Sequence, residues 1–294
     1  MSASARKVGM LSLVGASLAI WYSPVSAVFK LGLSRDAYTH ILMILPLSLV
    51  LSYFRVREAR PALSSSPAMG TSLLLASILV ELCARLSLGG YQAEYRLALE
   101  VLALVIWWTG SVILCFGFST YRAVLLPLIF VALMIPFPPQ VVNWITRWLQ
   151  ETSAAAADLL FQFAHVPVTR DGILLSIPGL DIEVASECSS IRSSMLLMVS
   201  TIFLADLFLH SPWKKTATIL TAIPLSVAKN GLRIFTIAEL GTRVDPCFLD
   251  GWLHHKGGIV FFAIALGAVV LLIWTLRRSE SRKVPAIMQP VHSE

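Results

Sequence analysis

The stretch Leu97–Gly117, LALEVLALVIWWTGSVILCFG, decides what kind of fold this chain adopts. Its single formal charge is Glu100. At 1.5 Å per residue a helix of this length spans about 31 Å, the thickness of a bilayer's hydrocarbon core. Similar apolar blocks at about 8–28, 39–54, 69–88, 121–136, 190–209, 214–240 and 258–276 predict seven further spans, eight in all. The shortest, Val124 to Pro136, needs a thin spot in the bilayer or an early end at its prolines. The fold class expected is an all-α polytopic membrane protein, a single integral membrane domain over residues 1–294.

Composition agrees. The 294 residues are 56% hydrophobic and only 14% charged, against about 25% charged in a soluble domain. Mean hydropathy is +0.76. Arg6-Lys7, the first apolar run and Val25-Ser26-Ala27 imitate a cleavable signal peptide, and the expectation is a retained helix; cleavage would leave seven spans. Lysine and arginine gather at Arg6-Lys7, Arg55-Arg57-Arg60, Arg122, Lys214-Lys215 and Arg277 to Lys283, alternate ends of the predicted spans. The excess of positive charge marks cytoplasmic segments. Both termini are therefore expected in the cytoplasm, with residues 277–294 as a cytoplasmic tail and most acids outside. The net charge of +6 reads as this inside bias and not as a nucleic-acid surface. The four cysteines form no disulfide framework or zinc spacing, although a single outer disulfide among Cys83, Cys188 and Cys247 is compatible with the topology. No metal or organic cofactor is implied.

One connection is long, the outer loop at 137–189, and loops of this length are usually functional. In its first half Val141, Ile145, Trp148, Leu149, Thr152, Ala156, Leu159 and Phe163 recur with helical period, predicting an amphipathic helix along the membrane surface or against the bundle. In its second half Leu175 and Ile177, then Leu180, Ile182 and Val184, alternate around Pro178-Gly179, predicting a small β-hairpin. The hairpin leads to Glu187-Cys188-Ser189-Ser190-Ile191-Arg192, where the sixth span begins.

The seventh span carries Lys229-Asn230-Gly231-Leu232-Arg233 inside an otherwise apolar helix. A mid-span arginine costs about 2.5–3.5 kcal/mol on insertion scales, so it needs a reason. The expected topology brings Cys188, Arg233 and His254 to the same side of the membrane. A thiol becomes a strong nucleophile as thiolate, which an imidazole, a cation or a helix N-terminus favours. Arg233 would stabilise the oxyanion formed on a peptide carbonyl, and His254 would carry the proton from thiol to leaving amine.

Each residue also has a plainer reading. Cys188 can also be read as a buried structural cysteine or half of a disulfide with Cys247, although its place after a hairpin and on one side with Arg233 and His254 favours the nucleophile. Arg233 can snorkel to the interface. Lys229 is as readily an ion-pair partner within the bundle as a substrate contact, and Asn230 a helix–helix hydrogen bond. His255 is the alternative to His254. Arg192 positions a substrate carboxylate or Glu187, or anchors its helix at the headgroups. His40 and Asp36 are supporting residues or an ordinary helix cap. Trp21, Trp107, Trp108, Trp213 and Trp252 are expected in the interfacial belt.

The segments Glu187–Ser193, Asn230-Gly231-Leu232-Arg233-Ile234, and His254 with Gly257-Gly258 resemble the three signatures of the exosortase/archaeosortase family. Asp36-Ala37-Tyr38-Thr39-His40 resembles the family's early Tyr-Ser-His segment, and Pro127 to Pro138 its proline-bounded fifth span, so the resemblance runs over most of the chain. Ser190 stands where the family usually has glycine, and serine caps a helix start well. The resemblance implies a catalytic set of Cys188, Arg233 and His254, with Glu187, Arg192, Asn230 and His40 in support. It implies a cysteine transpeptidase of the bacterial inner membrane, active on the outer face. Its substrates would be exported proteins bearing a C-terminal tail of short motif, helix and basic end, passed to an amine or hydroxyl acceptor. Membrane lipid is the other expected partner and nucleic acid is not one. A hydrolytic endopeptidase without transfer is the neighbouring alternative. A transporter fits less well, because the sequence shows no internal repeat and its polar groups gather at one face.

Overall fold

The computed structural model describes residues 2–61, 64, 66–87, 93–184, 191–250 and 252–281, with backbone alone at 3, 250, 252–256 and 281. Helices dominate: α1 Ala3–Ile20, α2 Tyr22–Ser34, α3 Ile41–Ala59, α4 Pro67–Ser87, α5 Ala93–Ala123, α6 Leu125–Ala132 and α7 Pro139–Phe163. A three-stranded antiparallel sheet follows, β1 Thr169–Asp171, β2 Leu174–Ile177 and β3 Leu180–Glu183, in that order. The chain then runs through α8 Ile191–Phe208, α9 Pro212–Arg243, the short α10 Cys247–Asp250 and α11 Trp252–Ser281. It divides into two compact units, residues 1–144 and 145–294.

Among the described residues five helices are long and apolar enough to cross a membrane, and six if α1 and α2 are one broken span. Three of the eight predicted spans look different in three dimensions, the broken 8–28 block among them. The 121–136 block yields only the eight-residue α6, about 12 Å long, followed by turns up to Pro139. The 214–240 block is a 32-residue helix whose polar cluster lowers its mean hydropathy below that of an ordinary span.

In the first unit the predicted 8–28 span bends by 74° between α1 and α2. Trp21 sits at the bend with non-helical dihedrals, three residues ahead of the buried Pro24 in the first turn of α2. Trp21 is fully buried, and its indole N–H donates to Glu81 Oε2 at 2.8 Å. Arg85 holds the other oxygen of Glu81 at 2.6 Å and reaches the Ile20 carbonyl at 3.3 Å. The break is thus satisfied by a polar cluster whose Trp21 and Glu81 are buried, as an apolar surrounding demands. Trp21 and Trp107 are core residues here and not belt residues; their rings pack 5.4 Å apart. Helices α4 and α5 approach closely at Gly70 and Gly110, where a Cβ on Gly110 would meet the Gly70 carbonyl at 3.1 Å. Small residues at such crossings let helix backbones meet in lipid. Near its end α5 kinks at Gly117, φ +84°, where any Cβ would lie 1.7 Å from the Ser64 carbonyl oxygen.

The second unit packs α8, α9 and α11 against one another, with the buried apolar seam of Leu197, Ala205, Ala265, Val269 and Ile273 between them. The sheet lies on α7 and α9 through Leu175, Ile177 and Val184 against Ala154, Ala157, Phe161, Ile234 and Ala238. The predicted hairpin is β2–β3 with its turn at Pro178-Gly179, where Gly179 has φ +83°. β1 adds a strand that the sequence alone left as loop. Helix α7 is amphipathic as predicted, and the side it packs with is offset from its bulkiest apolar stripe. Leu149, Ser153, Ala154, Ala157 and Phe161 are buried, whereas Leu159 and Phe163 are 54% and 79% exposed. The reason is the solvent: in a bilayer the bulky apolar stripe can face lipid while the small residues let α7 approach its neighbours.

Candidate active site

Helix α9 carries the site. Lys229, Asn230 and Arg233 are all buried, at 6%, 1% and 7% exposure. Gly231 lies between them because α7 passes over it: a Cβ there would sit 2.6 Å from the Cβ of Ala156. This close approach leaves room at position 231 for glycine alone.

Lys229 Nζ donates to Ser193 Oγ on α8, one turn from the parallel contact of Ser226 Oγ with Ser194 Oγ at 2.6 Å. The two contacts lock α8 to α9 just after the start of α8 at Ile191. Among the described residues no carboxylate pairs with Lys229. The sequence left its role open between bundle and substrate, and its partner is a bundle hydroxyl. The adjacent Ser193-Ser194 on α8 and the one-turn spacing of Ser226 and Lys229 on α9 are the sequence signal for this seam.

Arg233 lines a cleft of about 200 Å³ together with Ile234, Ile237 and Ala238 of α9, Leu249 of α10, and Leu180 to Val184 along β3. Helix α10 is seated there by Gly241, where a Cβ would lie 2.4 Å from Leu249 Cδ2. The guanidinium of Arg233 reaches toward α11: its Nη1 is 3.8 Å from the position of a Cβ on Gly258. His254 belongs to the same helix, one turn earlier on the face of Gly258. The acidic side chains near the cleft, Asp181 and Glu183, are exposed.

Of the residues singled out from sequence, Glu187 and Cys188 lie outside the described residues, and His254 and His255 are described by backbone alone. Arg192 is exposed in the first turn of α8. His40 belongs to the first unit, 3% exposed at the start of α3, with no hydrogen-bond partner for Nδ1 among the described residues. In the same unit the Tyr38 hydroxyl donates to the Phe137 carbonyl at 3.0 Å, joining the 36–40 segment to the proline-bounded one. Asp36 is exposed. Cys83, Cys115 and Cys247 are free thiols among the described residues, and a bridge to Cys188 lies outside them.

Several apolar helices of spanning length, and a long neighbouring helix that carries a buried arginine and lysine beside a small sheet, define a multi-pass membrane protein with a polar site built into its helices. The family model for transmembrane exosortase matches residues 32–274, most of the chain, and the chain belongs to that family. No curated protein and no solved structure matches it. Membership suggests a membrane transpeptidase or protease of the cysteine type, and implies exported proteins with sorting signals as what it processes.

Proposed function

We propose that this exosortase cleaves the C-terminal sorting tail of exported proteins through a thioester on Cys188 and passes the released protein to an extracellular amine or hydroxyl acceptor. The observation that carries the reading is the cleft: Arg233 forms one wall, β3 forms another, and β3 ends five residues before Cys188. Covalent geometry keeps residue 188 within about 14 Å of Val184 and about 11 Å of Ile191. The packing of Arg233 on Gly258, one turn from His254, supports the same grouping.

The roles follow from chemistry. His254 takes the proton of Cys188, and Arg233 favours the resulting thiolate by its charge. Sulfur attacks the scissile carbonyl carbon, and charge-assisted hydrogen bonds from Arg233 stabilise the oxyanion. The carbon–nitrogen bond then breaks, and His254 gives its proton to the departing amine of the tail. The acceptor gives a proton to His254 as it attacks the thioester carbonyl, the carbon–sulfur bond breaks and sulfur leaves as thiolate. Glu187, Arg192 and Asn230 are supporting residues in this scheme.

Depth is consistent with an outer site. From Lys215 to Arg233 the helix rises about 27 Å, so with the lysines at the cytoplasmic boundary Arg233 stands near the opposite edge of a 30 Å core. The enzyme then belongs to the bacterial inner membrane with its cleft facing outward. Cys188→Ala in the native cell is the test. Accumulation of uncut precursors bearing a C-terminal helix is expected, and normal cutting overturns the reading. The intact mass of the released protein separates transfer from hydrolysis: an added acceptor mass means transfer, a plain carboxylate means hydrolysis.

A further inference from the structure

The sheet order β1-β2-β3 leaves β3 with a partner on one side only. Ile177 faces Leu180 and Leu175 faces Ile182 across β2, and the Val184 amide donates to the Ile173 carbonyl at 3.0 Å. In an antiparallel ladder, pairs that exchange hydrogen bonds alternate with pairs that do not. Leu180, Ile182 and Val184 therefore direct their backbone groups to the β2 side, and Asp181 and Glu183 direct theirs to the outer edge. Among the described residues these outward N–H and C=O groups have no backbone partner.

Charged residues on a short edge strand ordinarily serve to keep other chains away. This edge is different in its surroundings, because residues 180–184 line the cleft that contains Arg233, Ile237 and Leu249. A sheet edge beside side-chain pockets is the arrangement that captures an extended peptide by strand addition: the main chain supplies affinity and alternate side chains supply selectivity.

We propose that the segment of the substrate tail flanking the scissile bond binds as an added strand on β3, with main-chain hydrogen bonds to Asp181 and Glu183. This rests on the peptidase reading above and names how that site holds its substrate. Side chains on one face of the added strand pack on Ile234, Ile237 and Leu249. Those on the other face lie beside the carboxylates of Asp181 and Glu183, which favour basic or hydroxyl-bearing residues and disfavour acidic ones. An extended strand also exposes its carbonyl to attack, which a helix does not, because its carbonyls are engaged within the helix.

Two experiments in the native cell test this. In the Cys188→Ala background, Asp181→p-benzoylphenylalanine and Glu183→p-benzoylphenylalanine are irradiated and the cross-linked peptides identified by mass spectrometry. Cross-links to the tail of precursors with a C-terminal helix are expected; cross-links to lipid or to unrelated proteins alone overturn the proposal. In the otherwise unaltered enzyme, Asp181→Pro and Glu183→Pro each remove one outward N–H and spare the bonds to β2. Tail cleavage is expected to fall about tenfold in each, with Asp181→Ala cleaving about fivefold faster than Asp181→Pro. Cleavage at the unaltered rate by both proline variants overturns strand addition. If a proline variant is lost from the membrane, the cross-links decide alone. Failure of the peptidase reading looks different: the Cys188→Ala enzyme itself would still cleave.

Discussion

The side-chain amide of Gln150 donates to the carbonyl oxygen of Val184 at 2.9 Å, fastening α7 to the residue that follows β3. Val184 is fully buried, so no water stands ready to replace that donor. Removing it leaves an orphaned carbonyl at a cost of about 1–3 kcal/mol. Gln150→Glu keeps the size and loses the donor at neutral pH. Several-fold slower tail cleavage at unchanged protein level is expected, with Gln150→Leu behaving alike. Equal cleavage by the Glu variant would show that the contact positions nothing.

Arg233→Ala is expected to cut tail cleavage by about a hundredfold or more, the loss typical of a missing oxyanion donor. Arg233→Lys retains a charge but not the planar fork of donors, and recovers only part, to within roughly tenfold of the starting rate. Rates of precursor disappearance after a pulse label measure both. A Lys variant no better than the Ala variant would argue that shape and not charge is what the cleft requires.

The Lys229–Ser193 contact predicts non-additivity. Ser193→Ala leaves a buried ammonium short of its acceptor, and Lys229→Met leaves a buried hydroxyl beside a thioether. Each single change should lower the thermal midpoint in detergent, by the equivalent of about 1–3 kcal/mol. The double variant should be less damaged than the sum, since both polar groups are then gone together. Additive losses would mean that the two side chains do not depend on each other.

Gly231→Ala forces a methyl group against Ala156, and overpacking of this kind costs about 1–3 kcal/mol. Reduced membrane abundance and slower cleavage are expected. Ala156→Gly in the same chain makes the space again and should restore both. Failure of the second change to rescue the first would place the cost elsewhere than the α7–α9 crossing.

Much of this architecture is legible in the sequence because two of its signals are strictly local. Apolar runs such as Leu97–Gly117 report spanning helices by length alone, and Pro178-Gly179 between alternating residues reports a hairpin. What escaped is tertiary in origin. The bend at Trp21 depends on Glu81 and Arg85, some 60 residues away, and nothing around Trp21 announces it. The sequence leaves the apolar face of α7 open between membrane and bundle, because hydrophobicity does not say which side is protein when lipid is the solvent; the Ser153, Ala154 and Ala157 stripe marks the packed side. At the site, Lys229 and Arg233 were conspicuous as charges in a span, whereas the partnership of Lys229 with Ser193 needs the register of α8 on α9, which spacing alone leaves undetermined. The wall contributed by β3 was likewise hidden, since a strand edge has no sequence mark.

The nearness of Ala156 to Gly231 has a consequence for protein engineering. The five residues from Lys229 to Arg233 are not a portable cassette. Transplanted into another helix they would arrive without the shaved neighbour that lets a second backbone settle on the glycine, and the arginine would aim at whatever happened to be there. Any attempt to build this chemistry into a new scaffold has to move the crossing of two helices, and not a motif.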